Sequence, residues 1–237
     1  MKKKSSGKIV GSIKVTIINI LVFSLGFFPI IIFGKILLFF VPFTELWQLL
    51  LIPFIITIGI FIILFYQLIF TGLIVHVFNI KYKPGTYEYS FKDKTAFRWI
   101  VLCSLYTPLR KILEIIPMGG LRNTYYRLLG MKIGENTLVG GVIKDPCLTE
   151  FGDNVTMGEY AIIYGHIHNY EKGTIIMDKV KVGNNVVIGA GAIIMPGAVI
   201  EDDVSIAAGA VVAKGQVLKK DKIYGGVPAK EIKAKKK

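Results

Sequence analysis

The chain has 237 residues, of which 53% are apolar and 19% charged, and its formal net charge is +13. Its 25 glycines and 9 prolines exclude collagen and proline-rich disorder. Two cysteines, Cys103 and Cys147, exclude a disulfide framework and a four-cysteine zinc site, and three histidines leave little for a multi-histidine centre within one chain. Such an apolar average with so few charges describes two unlike halves rather than one ordinary globular domain.

The N-terminal half is hydrophobic. From Val15 to Gly34 and again from Leu46 to Ile80 there is no Asp, Glu, Lys or Arg. About 20 apolar residues cross a bilayer as a helix, so the first run reads as one span, extended past Lys35 toward Phe40. The second reads as one tilted span with an interfacial extension and a kinked or re-entrant start near Pro53. Residues 41–45 form the turn between them. A signal peptide fits the first run less well, because no small-residue cleavage site follows and a second apolar run does. Lys2, Lys3, Lys4, Lys8 and Lys14 precede the first run, and Lys81, Lys83, Lys92 and Lys94 follow the second. By the positive-inside rule both ends are cytoplasmic. The basic excess therefore suits anionic lipid rather than nucleic acid. His76 sits near the cytoplasmic end of the second run, where an interfacial histidine is structurally cheap. These readings divide the chain into a two-span membrane anchor (1–80), a juxtamembrane helical linker (81–130) and a cytoplasmic domain (131–237).

The periodicity of that last part is six. From Val182 the chain runs VGNNVV, IGAGAI, IMPGAV, IEDDVS, IAAGAV, VAKGQV. The leading residues are Val182, Ile188, Ile194, Ile200, Ile206 and Val212; four places on stand the mostly small Val186, Ala192, Ala198, Val204, Ala210 and Gln216. An earlier block from Phe151 (FGDNVT, MGEYAI, IYGHIH) keeps the register, with a looser start at Ile133. Hexads in register predict a left-handed parallel β-helix of 18-residue coils, with the leading residue filling a triangular prism. Residues 169–181 are out of register and predict a loop ejected from the prism. The stretch from Gly225 onward breaks the period and predicts an edge crossing that ends in a short lysine-rich C-terminal helix.

With these hexads and the Gly226-Val227-Pro228-Ala229-Lys230 ending, the domain resembles the hexapeptide-repeat acyltransferases of the galactoside, maltose and xenobiotic acetyltransferase class. Lys83-Pro84-Gly85-Thr86-Tyr87, Phe97-Arg98-Trp99, Tyr126 to Gly134, Leu148-Thr149-Glu150 and His168-Asn169-Tyr170-Glu171 extend the likeness. In these stretches the chain is similar to the membrane-bound C-terminal module of polylysine-synthetase-type peptide synthetases. In those enzymes several such modules occur in tandem. One module is present here without adenylation or carrier domains, which favours a standalone acyltransferase. The resemblance implies a homotrimer with active sites between neighbouring prisms, acyl-coenzyme A (acetyl-CoA) as co-substrate, no tightly bound cofactor, and a histidine base just before the loop.

Acyl transfer from a thioester to a hydroxyl or amine needs a base for the acceptor's proton, and histidine titrates in the right range. Only His166 and His168 are available beyond the anchor. In the hexad register both flank an inward-facing Ile167, and His168 stands immediately before the loop, where the resemblance puts the base. His168 is therefore the first candidate and His166 the second, with Glu171 as the carboxylate that would orient the ring. The backbone around Gly189, Ala190, Gly191, Ala207 and Gly209 lies where the family's pantetheine arm runs, and Lys214 and Lys230 are candidates for its phosphates. The expected activity is acyl transfer to a membrane-proximal acceptor such as a lipid-linked or envelope glycan. Two alternatives compete with it: a non-catalytic trimeric membrane scaffold, and a zinc carbonic anhydrase-like enzyme on the same fold.

Overall fold

The computed structural model describes residues 2–116 and 119–234, in two compact units. The first comprises residues up to 79 together with 100–116, and it is helical. Helix α1 (Lys2–Gly26) is followed after one residue by α2 (Phe28–Phe40), with Pro29 in the first turn of α2, where its missing N–H costs nothing. A 3₁₀ turn (Leu46–Leu51) leads into α3 (Ile52–Val77), which has Pro53 in its first turn. The stretches Ile9–Phe40 and Leu46–Val77, each 32 residues with mean hydropathies of 2.5 and 2.8, are long and apolar enough to cross a membrane. Polar groups between these helices find one another. The Gln67 amide donates to the Phe23 carbonyl, and Ser104 of helix α4 (Lys94–Ile115) donates to Asn19. A side chain at Gly26 would overlap Gln67, so glycine permits the close approach of α1 and α3 there.

The second unit contains residues 80–99 and the chain from 119 onward. Its core is a parallel β-helix of three sheets. The five-, six- and four-stranded faces are built from two- to four-residue strands, each paired in parallel with the strand one coil away, except that the last strand of the six-stranded face has five residues and is antiparallel. The sixfold register holds. Val182, Ile188, Ile194, Ile200, Ile206 and Val212 are all buried, as are the small residues Val186, Ala192, Ala198, Val204 and Ala210. A buried aliphatic side chain of this size contributes about 1.5–3 kcal/mol relative to exposure, which is why the leading positions dominate the interior. Backbone turns recur at the corners. Asn136, Asn154, Asn185, Asp203 and Asp221 share one corner, all with positive φ, a conformation that Asn and Asp tolerate best after Gly. Their side chains bridge successive coils there, Asn154 to Asn185 at 3.1 Å and Asn185 to Asp203 at 3.3 Å.

The first coil departs from six. Paired positions Lys132, Leu138, Val142 and Glu150 stand six, four and eight residues apart, so one corner is shortened at Gly140-Gly141 and the next lengthened by the 3₁₀ turn Pro146–Leu148. Helix α5 (Gly119–Leu128) covers this end. Arg122 donates to the Val139 carbonyl, Asn123 to Thr137 and Arg127 to Ile133, satisfying acceptors that have no coil above them.

Three expectations are corrected. The chain leaves the prism at His166, earlier than residue 169. His166–Asn169 and Thr174–Met177 form an antiparallel hairpin, in which Ile167 pairs with Ile176 rather than filling the prism. Segment 81–130 is not purely helical, because Gly85–Glu88 adds a third antiparallel strand to that hairpin. The C-terminal helix is absent: Lys230–Ala234 is a strand antiparallel to Lys222–Gly225. The free edge of the last coil offers that backbone a ladder of hydrogen bonds, and tertiary pairing outweighs the helical preference of a lysine-rich run. Residues 235–237 lie outside the described residues.

Candidate functional site

The hairpin and the irregular first coil meet around one carboxylate. Asp145 begins the lengthened corner, just before Pro146, and is wholly buried at 0% exposure. Its two extra corner residues carry it inward, under the strand that starts the hairpin. Gly165 makes this possible, since a Cβ there would meet Asp145 Cβ at 2.8 Å and Leu148 Cβ at 2.9 Å.

Both carboxylate oxygens are fully engaged. Oδ1 accepts from the Tyr82 hydroxyl at 2.7 Å and from Trp99 Nε1 at 3.2 Å. Oδ2 accepts from the Gly165 amide at 2.8 Å and lies 2.7 Å from His166 Nδ1. Tyr82, Trp99 and Gly165 all act as donors to this group. A carboxylate with four acceptor sites satisfies them, and the hydrogen on His166 then sits on Nδ1. That leaves the lone pair on Nε2, the arrangement that a carboxylate imposes on a basic imidazole. The His166 side chain is 14% exposed.

His168 lies on the same face of the same strand, because strand side chains alternate with period two. Its ring is 5.4 Å from that of His166. It stacks on Tyr170 at 5.6 Å and meets the rings of Tyr89 at 4.7 Å and Trp99 at 5.3 Å edge to face. Burial, then the neighbouring His166, lower its affinity for a proton below the usual histidine value, and Asp145 opposes them. Trp99 also meets the His166 ring, at 4.8 Å. Glu171 stands in the exposed hairpin turn, and among the described residues no contact joins it to either imidazole. The carboxylate within hydrogen-bonding distance of an imidazole is that of Asp145, at His166. Cys147, beside this corner, has its thiol pushed up to about 11, chiefly by burial, which disfavours the reactive thiolate.

The residues expected along the donor's path form a separate row. Gly191 and Gly209 occupy equivalent left-handed corners one coil apart, with open space where side chains would be. The amides of Gly189, Gly191, Ala207 and Gly209 all donate to carbonyls of other turns, so they hold the coils together. In this row of small residues Ala190 and Ala208 are exposed. Lys214 and Lys230 are both exposed.

Sequence reasoning missed Asp145, Tyr82, Trp99 and Tyr89. The signal for Asp145 was present, in an Asp-Pro that interrupts the hexads. The aromatic residues gave no local sign of these contacts, because Tyr82 and Trp99 stand 63 and 46 residues from Asp145 and no repeat links them.

Residues 172–214 match the family model for the bacterial transferase hexapeptide (six repeats). No curated protein sequence matches significantly. Among solved structures, a maltose O-acetyltransferase from Clostridium difficile 630 superposes with a TM-score of 0.51 at 24% identity, over 65% of this chain and 94% of its own. A galactoside acetyltransferase in complex with coenzyme A gives 0.43 at 22% identity, over 53% of this chain and 78% of that one. A hexapeptide-repeat-containing acetyltransferase from Vibrio cholerae gives 0.43 at 20%, over 59% and 93%. At the identity of the first of these, the likeness is one of fold.

Proposed function

We propose that the protein is a membrane-anchored acyltransferase that moves an acyl group, acetyl in the simplest case, from a coenzyme A thioester to a hydroxyl or amine. The observation that carries this reading is the imidazole of His166, held through Nδ1 at 2.7 Å by a buried carboxylate with three further donors, at the root of a hairpin ejected from a hexapeptide prism. The matching repeat model supports the same class of chemistry.

His166 Nε2 takes the proton from the acceptor's O–H or N–H as the new C–O or C–N bond forms, and returns it to the departing sulfur as the C–S bond breaks. Asp145 holds the ring in the required tautomer and stabilises its charged form between the two steps. The small-residue row at Gly189–Gly191 and Ala207–Gly209 receives the donor's extended arm, with Lys214 and Lys230 within the reach of its phosphates. The prism winds left-handed, and three copies assemble with the donor cleft between neighbours. Two spans hold the domain at the cytoplasmic face, where lipid-linked or envelope glycans are suitable acceptors. Glu171 stays in solvent and takes no part.

The test is thiol release from acetyl-CoA by the full chain in detergent, with a panel of hydroxyl and amine acceptors. His166→Ala lowers turnover by a factor on the order of 10² to 10⁴, the usual contribution of a general base. His168→Ala, which leaves the carboxylate pair intact, costs less. Wild-type turnover by His166→Ala overturns the assignment.

A further inference from the structure

Two of the four groups on Asp145 come from outside the repeat. Tyr82 follows α3 and Trp99 lies in α4; both are buried, at 4% and 9% exposure. Both donate to Oδ1, while Oδ2 serves Gly165 and His166. The same segment braces the hairpin. Gly85–Glu88 pairs with Thr174–Met177, and Tyr89 and Trp99 close their ring edges on His168 and His166. A carboxylate stays ionised in the interior only when donors satisfy it. Without the Tyr82 and Trp99 donors, Oδ1 is left buried without those two hydrogen bonds, and the side chain must rotate to find others.

We propose that Tyr82 and Trp99 are positioning residues for the His166–Asp145 pair, so that the prism has a competent base only when residues 80–99 are docked on it. The proposal rests on the acyl-transfer reading for its functional meaning, yet its geometry can be tested without turnover. The other ionisable groups facing His166 are His168 and Tyr164, with Tyr82 behind Asp145.

The chain has only three histidines, so histidine-selective ¹⁵N labelling of the full protein in detergent gives three resolvable rings, with His166→Gln assigning one. In the wild type His166 shows the Nδ1–H tautomer. Tyr82→Phe and Trp99→Phe each release Asp145 from its place, and the Nδ1–H signature of His166 weakens or gives way to the Nε2–H tautomer. Tyr87→Phe, whose hydroxyl bonds the Lys83 and Pro84 carbonyls, leaves the tautomer unchanged. Where turnover is measurable, Tyr82→Phe lowers kcat roughly 10-fold with little change in KM for acetyl-CoA, and adds nothing in an Asp145→Asn background. An unchanged His166 tautomer in both Tyr82→Phe and Trp99→Phe overturns the proposal. Full turnover by His166→Gln overturns the base assignment instead, and the two failures are thereby distinguished.

Discussion

Replacing Asp145 by Asn keeps the shape of the side chain and removes two of its acceptor sites. The four groups around it all donate: Tyr82 and Trp99 to one oxygen, Gly165 and His166 to the other. An amide offers one oxygen to two of them and turns its own N–H groups on the remaining two. If its nitrogen faces Gly165, two N–H groups oppose each other and His166 must present a bare Nδ1, which moves its hydrogen to Nε2 and abolishes the base. If the amide is reversed, the Trp99 N–H is opposed instead and the imidazolium loses its counter-charge. Either way one buried donor is stranded, a cost of about 1–3 kcal/mol, or several degrees in melting temperature for a domain of this size. Turnover falls by about 10² or more, the share that an oriented general base supplies. The assay is thiol release from acetyl-CoA alongside thermal unfolding, with Glu171→Gln run in parallel and expected to match the wild type in both. Full activity in Asp145→Asn, or a loss in Glu171→Gln as large as that in His166→Ala, refutes the reasoning.

Further predictions follow from the same geometry. Because His168 binds its proton less tightly when folded than when unfolded, the unfolded chain takes up more protons below the ordinary histidine value near 6.5. Stability is therefore lost as pH falls through that value toward the lower folded one, and denaturant titrations of His168→Gln between pH 7 and 5 show a smaller loss than wild type. Gly165→Ala forces Asp145 and Leu148 apart and costs about 1–3 kcal/mol along with most of the activity, read by the same two assays. Ala192→Leu, at a fully buried inward position, costs a similar amount through overpacking and leaves the His166 tautomer unchanged by ¹⁵N NMR.

The prism was legible because its rule is local. A branched aliphatic residue every six positions reports burial wherever it stands, and of the thirteen residues that broke the rule those up to Met177 lie in the ejected hairpin, while Val180 and Lys181 are already back in the five-stranded sheet. The hairpin's start was not, because His166 to His168 satisfy the hexad pattern and the antiparallel pattern alike; pairing with Thr174–Met177 decides between them. The tail was misjudged for a related reason, since a lysine-rich run has no local preference strong enough to resist an open sheet edge. At the site, two histidines could be found by their scarcity, but the carboxylate beside His166 could not. Asp145 is held in a packing arrangement that includes Tyr82 and Trp99, 63 and 46 residues away in sequence.

The shortened corner at Gly140-Gly141 and the lengthened one at Pro146–Leu148 cancel, so the first coil still returns its strands to register after eighteen residues. A functional group has been brought into a repetitive scaffold by moving two residues from one bend to the next, with no net insertion. The coils beyond therefore stack as though nothing had changed. The same transfer offers protein engineers a recipe: lengthen one bend, shorten its neighbour equally, and an acidic side chain can be set beneath the surface of a solenoid without disturbing the turns on either side.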